Sequence, residues 1–447
     1  MTWLDPVRAR LTANRRGVLS IALGSAGAQV LALAAAPLLS RLYSPEDFGV
    51  FTVIAALVTT IGTVAALRFE LAVPLPERER DAYGLVVLGM AAAFGTAVLG
   101  AVVVLSSGDV VATLFGQPAL QSWLWLVPPA AAGTSAVLVL NQLAVRHRRY
   151  ASIGRRTLLQ SLASTLTQIG AGIAGMRSGG LALGLGVGQV AGVFALLHTA
   201  GLRGTEAQAG RRGQQLVAVA RRYCRFPLLA APSGLLNVLG LQLPILLIAY
   251  WYGGAVAGHL GLTQRVIAVP AALVASAVAQ VYLAEIARAV RNADPHGRAI
   301  FIRVSRKLAL VAAPSALVLL VGAPWIFSVL FGEQWGSSGV YAQALAVYTA
   351  AQIVASPLSQ TLVVFERQGL QLIWDAARFL LVTGVVSGVA LSGASAVTAV
   401  WSLGIAGTLA YAASWLLSLR AVTLGSERTT RTSPALDLGL VPVRSTR

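Results

Sequence analysis

Residues 38–76 read LLSRLYSPEDFGVFTVIAALVTTIGTVAALRFELAVPLP, and a weaker copy, AYWYGGAVAGHLGLTQRVIAVP, returns at residues 249–270. Tyr43 and Gly49 of the first copy fall on Tyr252 and Gly258 of the second, an offset of about 209 positions. In each copy an apolar run enters a tight polar turn holding Tyr and Gly, and a second apolar run leaves it. That is the pattern of a helical hairpin. The motif LFG at residues 114–116 recurs at 330–332, and after each an apolar stretch ends in a basic turn, 142–149 and 360–367. Several short matches in one order at nearly one offset point to a duplicated bundle.

The chain has 447 residues, of which 56% are hydrophobic and only 11% charged, and its mean hydropathy is +0.74. This balance excludes a soluble multidomain protein and reads as an all-α, polytopic membrane protein. A bilayer core about 30 Å thick takes roughly 20 apolar residues per helix. About twelve stretches qualify: 17–40, 47–69, 83–106, 121–144, 155–176, 179–201, 227–250, 256–284, 307–330, 340–364, 370–391 and 395–419. They form two six-helix lobes, 17–201 and 227–419, after a short N-terminal segment, 1–16. A linker, 202–226, joins the lobes, and a tail, 420–447, is expected to be disordered from its Ser, Thr, Arg and Pro content. Within the linker, Leu216, Val219, Tyr223 and Phe226 fall at helical spacing, with Arg211, Arg212, Arg221, Arg222 and Arg225 around them. This is the pattern of an amphipathic helix whose apolar side lies among lipid headgroups.

The net charge of +18 would suggest a nucleic-acid partner in a soluble protein, but here its position decides the reading. Arg8, Arg10, Arg15 and Arg16 precede the first span, and Arg146, Arg148, Arg149, Arg155 and Arg156 lie around the turn between the fourth and fifth. More arginines fill 203–225 and 288–306. The alternate loops, 106–118, 176–180, 252–258 and 331–339, hold one arginine, Arg177, and Arg41 closes the first span on that same side. Short Arg-rich loops stay in the cytoplasm, so both termini are predicted to be cytoplasmic in a multi-pass protein of the cell inner membrane. The first apolar run is too long for the core of a cleaved signal peptide.

Several chemistries are excluded by what the chain lacks. The single Cys224 permits no internal disulfide, and the four histidines make no metal spacing, so no metal or other cofactor is expected. The one lysine, Lys307, follows no glycine loop, which argues against ATP hydrolysis. The outward loops are short and poor in acidic and basic residues, which argues against a membrane polymerase or ligase.

What remains is a set of polar groups within or at the ends of the spans. A charge near the bilayer centre costs roughly 2.5–3.5 kcal/mol on insertion scales, so such groups usually face a bundle interior or a water-filled cavity. Arg265, beside Gln264, sits inside the eighth span and is the clearest cavity candidate. Asp375 and Arg378 lie inside the eleventh span at a spacing that also suits a mutual ion pair. Arg41 ends the first span, Arg68 and Glu70 end the second, and Glu285 closes the eighth. Arg41, Glu70 and Glu285 also fit interfacial positions with side chains reaching to headgroups. Glu70, Glu285 and Asp375 are the acidic residues placed where protons or sodium could be coupled. Gln29, Gln160, Gln168, Gln189, Asn237 and Gln242 suit either a hydroxyl-rich ligand or helix pairing.

Four stretches carry a resemblance: SRLYSPEDFGVF at 40–51, LRFELAVPLP at 67–76, LFG at 114–116 and GLTQRVIAVP at 261–270. Together they resemble the polysaccharide transporter, or Wzx-type oligosaccharide flippase, branch of the multidrug and oligosaccharidyl-lipid exporter superfamily, over nearly the whole chain. The resemblance implies two six-helix lobes around a central cavity, of the MATE-like kind, and alternating access that carries an undecaprenyl-diphosphate-linked oligosaccharide to the outer leaflet. Arginines, with Arg265, Arg68, Arg378 and Arg41 as candidates, would meet the diphosphate, and Gln264 and other amides the sugars. The partners so implied are the lipid-linked oligosaccharide and membrane lipids, with a polysaccharide polymerase and assembly proteins beyond them, and no nucleic acid. An ion-coupled drug or metabolite antiporter, a lipid II flippase and a scaffold in polysaccharide assembly stay open as alternatives. Lipid II flippases of the superfamily typically carry two additional helices, which this sequence does not show. A reporter fused after Ser107 is expected to lie outside the cytoplasm, and a cytoplasmic reporter there would overturn the topology.

Overall fold

The computed structural model describes residues 5–200, 213–292, 296–365 and 367–432, and among these it is helical with no strand. The first lobe is built from α1 (Asp5–Leu42), α2 (Pro45–Val64), α3 (Glu79–Leu114), α4 (Val127–Arg146), α5 (Tyr150–Ile173) and α6 (Arg177–Leu197). A linker helix, α7 (Gly213–Arg222), leads to the second lobe: α8 (Ala231–Tyr252), α9 (Gly254–Arg291), α10 (Gly297–Phe331), α11 (Gly336–Ala344), α12 (Ala346–Leu358), α13 (Gln360–Val364), α14 (Gln368–Leu391) and α15 (Ala396–Thr432). Segments α11 to α13 together make one crossing, broken where the sequence suggests a single span. Each lobe thus has six crossings, and successive crossings are antiparallel. Among the described residues, nine helices are long and apolar enough to cross a membrane. An even number of crossings per lobe starts both lobes from the same end, so the repeats run parallel.

The hairpin turns form as the sequence dictates. Ser44 caps α2, its Oγ accepting from the Asp47 amide while Asp47 Oδ2 accepts from the Ser44 amide, and Pro45 occupies the first helical turn. The second turn is made by Gly253, whose φ of 84° is a left-handed conformation that a side chain would resist. Tyr43 and Tyr252 then play equivalent parts. The Tyr43 hydroxyl donates to the Gln168 carbonyl at 2.6 Å, and the Tyr252 hydroxyl to the Ala394 carbonyl at 3.0 Å. Each phenol ties its hairpin to a later part of its own lobe at the same end, Tyr43 to α5 and Tyr252 to the turn between α14 and α15.

The two hairpins also meet each other. A Cβ added at Gly49 would lie 2.0 Å from the Gly254 carbonyl oxygen, and one at Gly258 would lie 1.8 Å from the Pro45 carbonyl oxygen. Pro45 and Gly254 are equivalent positions at the offset of the repeat, as are Gly49 and Gly258, so the two contacts are mirror images in sequence terms. Contact of this isologous kind is what a two-fold axis produces. Around it, Ser40 Oγ donates to the Phe331 carbonyl at 3.0 Å, and the Ser40 carbonyl accepts from Gln334 Nε2 and Trp335 Nε1, both at 2.9 Å. Phe48 meets Trp335 edge-on with ring centroids 5.0 Å apart. The lobes are therefore closed on each other at the hairpin end.

Two sequence expectations need correction. The linker helix α7 is amphipathic, but its apolar side turns onto the first lobe rather than into headgroups: Val219 and Tyr223 are buried with Tyr83, Leu85 and Ala200, and Gln215 bonds Asp81. Arg221, Arg222 and Arg225 face outward, while Arg211 and Arg212 lie outside the described residues. The tail, expected to be disordered from 420, instead continues α15 as helix to Thr432, and 433–447 lie outside the described residues. Gly258→Val is expected to lower the thermal unfolding midpoint through overpacking worth about 1–3 kcal/mol. Gly384→Val, where an added Cβ meets nothing within 4 Å, is expected to leave it nearly unchanged.

Candidate functional site

A cavity of about 420 Å³ opens between α9 and the α12–α13 segment. On α9 it is lined by Ala268, Ala271, Ala272 and Ala279. Arg265 lies three residues before Ala268 and seven before Ala272, on the same helix face. Gln264 precedes Ala268 by four and Ala271 by seven, so both polar candidates continue the cavity wall toward the hairpin end. Arg265 and Gln264 are both half-buried, and Arg265 has no hydrogen bond or ion pair among the described residues. The facing wall presents Gln352, Ser356 and Gln360, spaced four apart along one side of the broken crossing. Gln352 Nε2 donates to the Tyr411 hydroxyl at 3.1 Å, which fixes its amide at the rim. Alanine on one wall leaves room, and amides and a hydroxyl on the other supply donors and acceptors.

The remaining candidates sit elsewhere, each for a visible reason. Arg378 is buried between α8 and α14: Nη2 donates to Asn237 Oδ1 at 3.1 Å and to Asp375 Oδ1 at 3.5 Å, and the guanidinium carbon stands 4.8 Å from the Trp374 ring centroid. Asp375 also accepts from Gln371 at 3.4 Å. Nη2 thus finds both its partners within its own lobe, while Nε has none. Arg68 lies at the arginine-rich end, where Leu67 and Arg68 both take left-handed backbone, φ 52° and 59°. Its Nη1 donates to Glu70 Oε1 at 3.3 Å, and its guanidinium presses on Gly234 of the second lobe. Burial pushes the Glu70 carboxyl up by more than Arg68 pulls it down, and Glu70 Oε2 has no partner. Arg41 is exposed at the hairpin end, and Glu285 is exposed near the arginine-rich end of α9. The structure brings neither to the cavity.

The amides divide in the same way. Gln160 accepts from Arg156 Nη1 at 2.7 Å and donates to Gln189 at 3.1 Å, pairing α5 with α6. Gln168 donates to the Leu181 carbonyl at 3.3 Å, again across these two helices. Asn237 serves Arg378. Helix pairing therefore accounts for four of the amides raised from the sequence. The sequence reading missed Arg156 and the Gln352, Ser356, Gln360 row, although the spacing of four in each was available to find them.

Residues 38–340 match the family described as polysaccharide biosynthesis protein. The chain belongs to this family. The succinoglycan biosynthesis transport protein ExoT of Rhizobium meliloti (strain 1021) is 26% identical over 416 residues, 90% of this chain and 76% of ExoT. The teichuronic acid biosynthesis protein TuaB of Bacillus subtilis (strain 168) is 24% identical over 187 residues, 42% of this chain and 38% of TuaB. Among solved structures, the lipid II flippase MurJ in an inward closed conformation aligns with a TM-score of 0.67 at 13% identity, covering 90% of this chain and 89% of that one. An inward-facing MATE family multidrug transporter of the MOP superfamily aligns at 0.60, also at 13% identity, covering 93% and 96%. At such identity the likeness is one of fold.

Removing Arg378 would strand Asp375 in a half-buried site, a loss of about 3–5 kcal/mol by analogy with broken buried pairs. Arg378→Ala is therefore expected to lower the unfolding midpoint and protein level, whereas Arg265→Ala, which breaks no bond, is expected to leave both close to wild type. Equal destabilisation of the two variants would contradict the assignment.

Proposed function

We propose that this protein carries an undecaprenyl-diphosphate-linked oligosaccharide, a unit of O-antigen, capsule or exopolysaccharide, from the cytoplasmic to the outer leaflet of the cytoplasmic membrane by alternating access. The observation that carries the reading is Arg265, without a partner among the described residues and on the α9 face that continues the cavity wall, in a chain aligned over 90% of its length with a succinoglycan transport protein. A diphosphate and a sugar chain cannot enter hydrocarbon unaided, whereas the polyprenyl tail can stay there. A cavity with a free guanidinium and an amide row meets both polar parts of such a cargo. The arginine-rich end is the cytoplasmic one by the charge rule, so closure at the hairpin end leaves the cavity on the loading side.

The carboxylates favour this over a cation antiporter. Glu70 is bound to Arg68, Asp375 to Arg378, and Glu285 is exposed, so no acidic side chain among the candidates joins Arg265 at the cavity. Glu70, with one oxygen unpaired, is the first candidate for coupling transport to protons, followed by Asp375 and Glu285. A polymerase and assembly proteins would consume the exported unit.

The decisive test is export measured together with protein level. Arg265→Ala is expected to abolish surface glycan in a cell that depends on this chain while the protein still inserts. Arg265→Lys is expected to restore part, since lysine keeps the charge but not the planar fork that grips two oxygens. Full export by a stably inserted Arg265→Ala protein would refute the role.

A further inference from the structure

Away from the cavity between α9 and α12, the second lobe carries two adjoining features that the proposed transport path leaves unused. The first three turns of α10 bound a basic recess of about 720 Å³, with Arg298, Arg303, Arg306 and Lys307 around Ala299 and Ile302. The four cations are exposed, and none has an ion pair among the described residues. Further along, α10, α12 and α15 enclose an apolar groove of about 510 Å³. Its α10 wall is Ala309, Ala312 and Ala313, its floor on α12 includes Val347, Ala351 and Val354, and its α15 wall includes Ala412 and Leu416. The two features share one stripe. Ile302, Arg306, Ala309 and Ala313 follow each other at intervals of four, three and four, so the basic recess runs into the groove along a single helix face. The opposite wall does the same, since Arg420 stands one turn beyond Leu416, exposed and without an ion pair among the described residues.

We propose that this flank is a docking site for a single-chain polyprenyl diphosphate, its diphosphate among Arg298, Arg303, Arg306, Lys307 and Arg420 and the first part of its chain in the alanine-walled groove. The inference rests on the cargo class proposed above and places a second station for it, outside the cavity between α9 and α12. Charge and shape favour this occupant over an ordinary bilayer phospholipid. Five cations without an ion pair or a carboxylate among the described residues exceed what one phosphodiester needs, while a diphosphate offers more charge and more oxygens for bidentate arginine contacts. The groove is a single channel bounded by three helices, which suits one chain rather than two. Burial of successive methylene groups holds the tail, and the arginines hold the head.

The test uses the full-length protein in nanodiscs and a diazirine-tagged geranylgeranyl diphosphate, with labelled peptides mapped by mass spectrometry. Labelling is expected at 309–313 and 412–416. The double variant Arg303→Ala, Arg306→Ala is expected to reduce it about tenfold, the loss of one or two charge-assisted contacts, with the double lysine variant intermediate. Ala313→Trp, which fills the groove without removing charge, is expected to reduce it as strongly, so a folding defect of one variant does not decide the outcome. Untagged polyprenyl diphosphate should compete, and neither phosphatidylglycerol nor inorganic pyrophosphate should do so at the same concentration. Labelling that survives both kinds of variant, or competition by phosphatidylglycerol equal to that of the prenyl diphosphate, would overturn the site. Labelling confined to the α9 face around Arg265 would also overturn it while sparing the cargo assignment. Absence of labelling anywhere on the protein would sink both. Arg265→Ala should leave groove labelling intact.

Discussion

The structure depends on one close approach of backbone to backbone, where Gly49 meets the Gly254 carbonyl and Gly258 meets the Pro45 carbonyl. Helix axes can come this near only where no Cβ intervenes, and the repeat supplies a small residue at both equivalent positions. Because the contact is reciprocal, it sets the two-fold relation of the lobes as well as their separation. Everything nearby follows from that register: Ser40 reaches Phe331, Gln334 and Trp335, and Phe48 reaches the Trp335 ring. The cavity beside Arg265 lies further along α9, on the side where the helix has left this contact.

Much of this could be read from residues 38–76 and their copy, because a hairpin turn needs specific chemistry at specific places. Ser44, Pro45 and Asp47 cap a helix, Gly253 turns the chain, and Tyr43 and Tyr252 sit where a hydroxyl can tie the turn down. Helix order and the two lobes were legible for the same reason. What the sequence could not show was which lobe a given face would meet. The linker helix has the apolar and basic sides of a membrane-surface helix, and the pattern is the same whether Val219 and Tyr223 meet lipid or protein. Only the position of α3, with Asp81 and Tyr83 at its start, decides between them.

The arginines show the same limit at the level of the site. By insertion cost alone, Arg265 and Arg378 were equivalent: each is a charge within an apolar span. The structure separates them by neighbours that lie far away in sequence. Asn237, 141 positions from Arg378, completes a set of partners that neutralises and orients that guanidinium within its lobe. Arg265 has no such neighbour among the described residues and lies on the helix face that carries the cavity's alanines. The pairing of Asp375 with Arg378 was visible at i, i+3, so the carboxylate marked the structural arginine. Its absence around Arg265 marked the available one.

In the transport cycle proposed above, closure at the hairpin end has to be strong enough to seal and weak enough to release. Beside the reciprocal glycine contacts, three hydrogen bonds centred on Ser40 and the Phe48–Trp335 contact join the lobes across it. Net hydrogen bonds are worth about 0.5–1.5 kcal/mol each, and an aromatic pair adds about 0.5–1.5 kcal/mol beyond its buried area. These terms add to the apolar burial that joins Leu39, Tyr43 and Phe48 to Leu260, Phe327, Phe331 and Trp335 across the same surface. Two of the three bonds share a single acceptor, the Ser40 carbonyl, so they break together when α1 moves relative to the turn after α10. That shared acceptor makes the seal cooperative. A rotation that parted α1 from this turn would forfeit all three bonds at once.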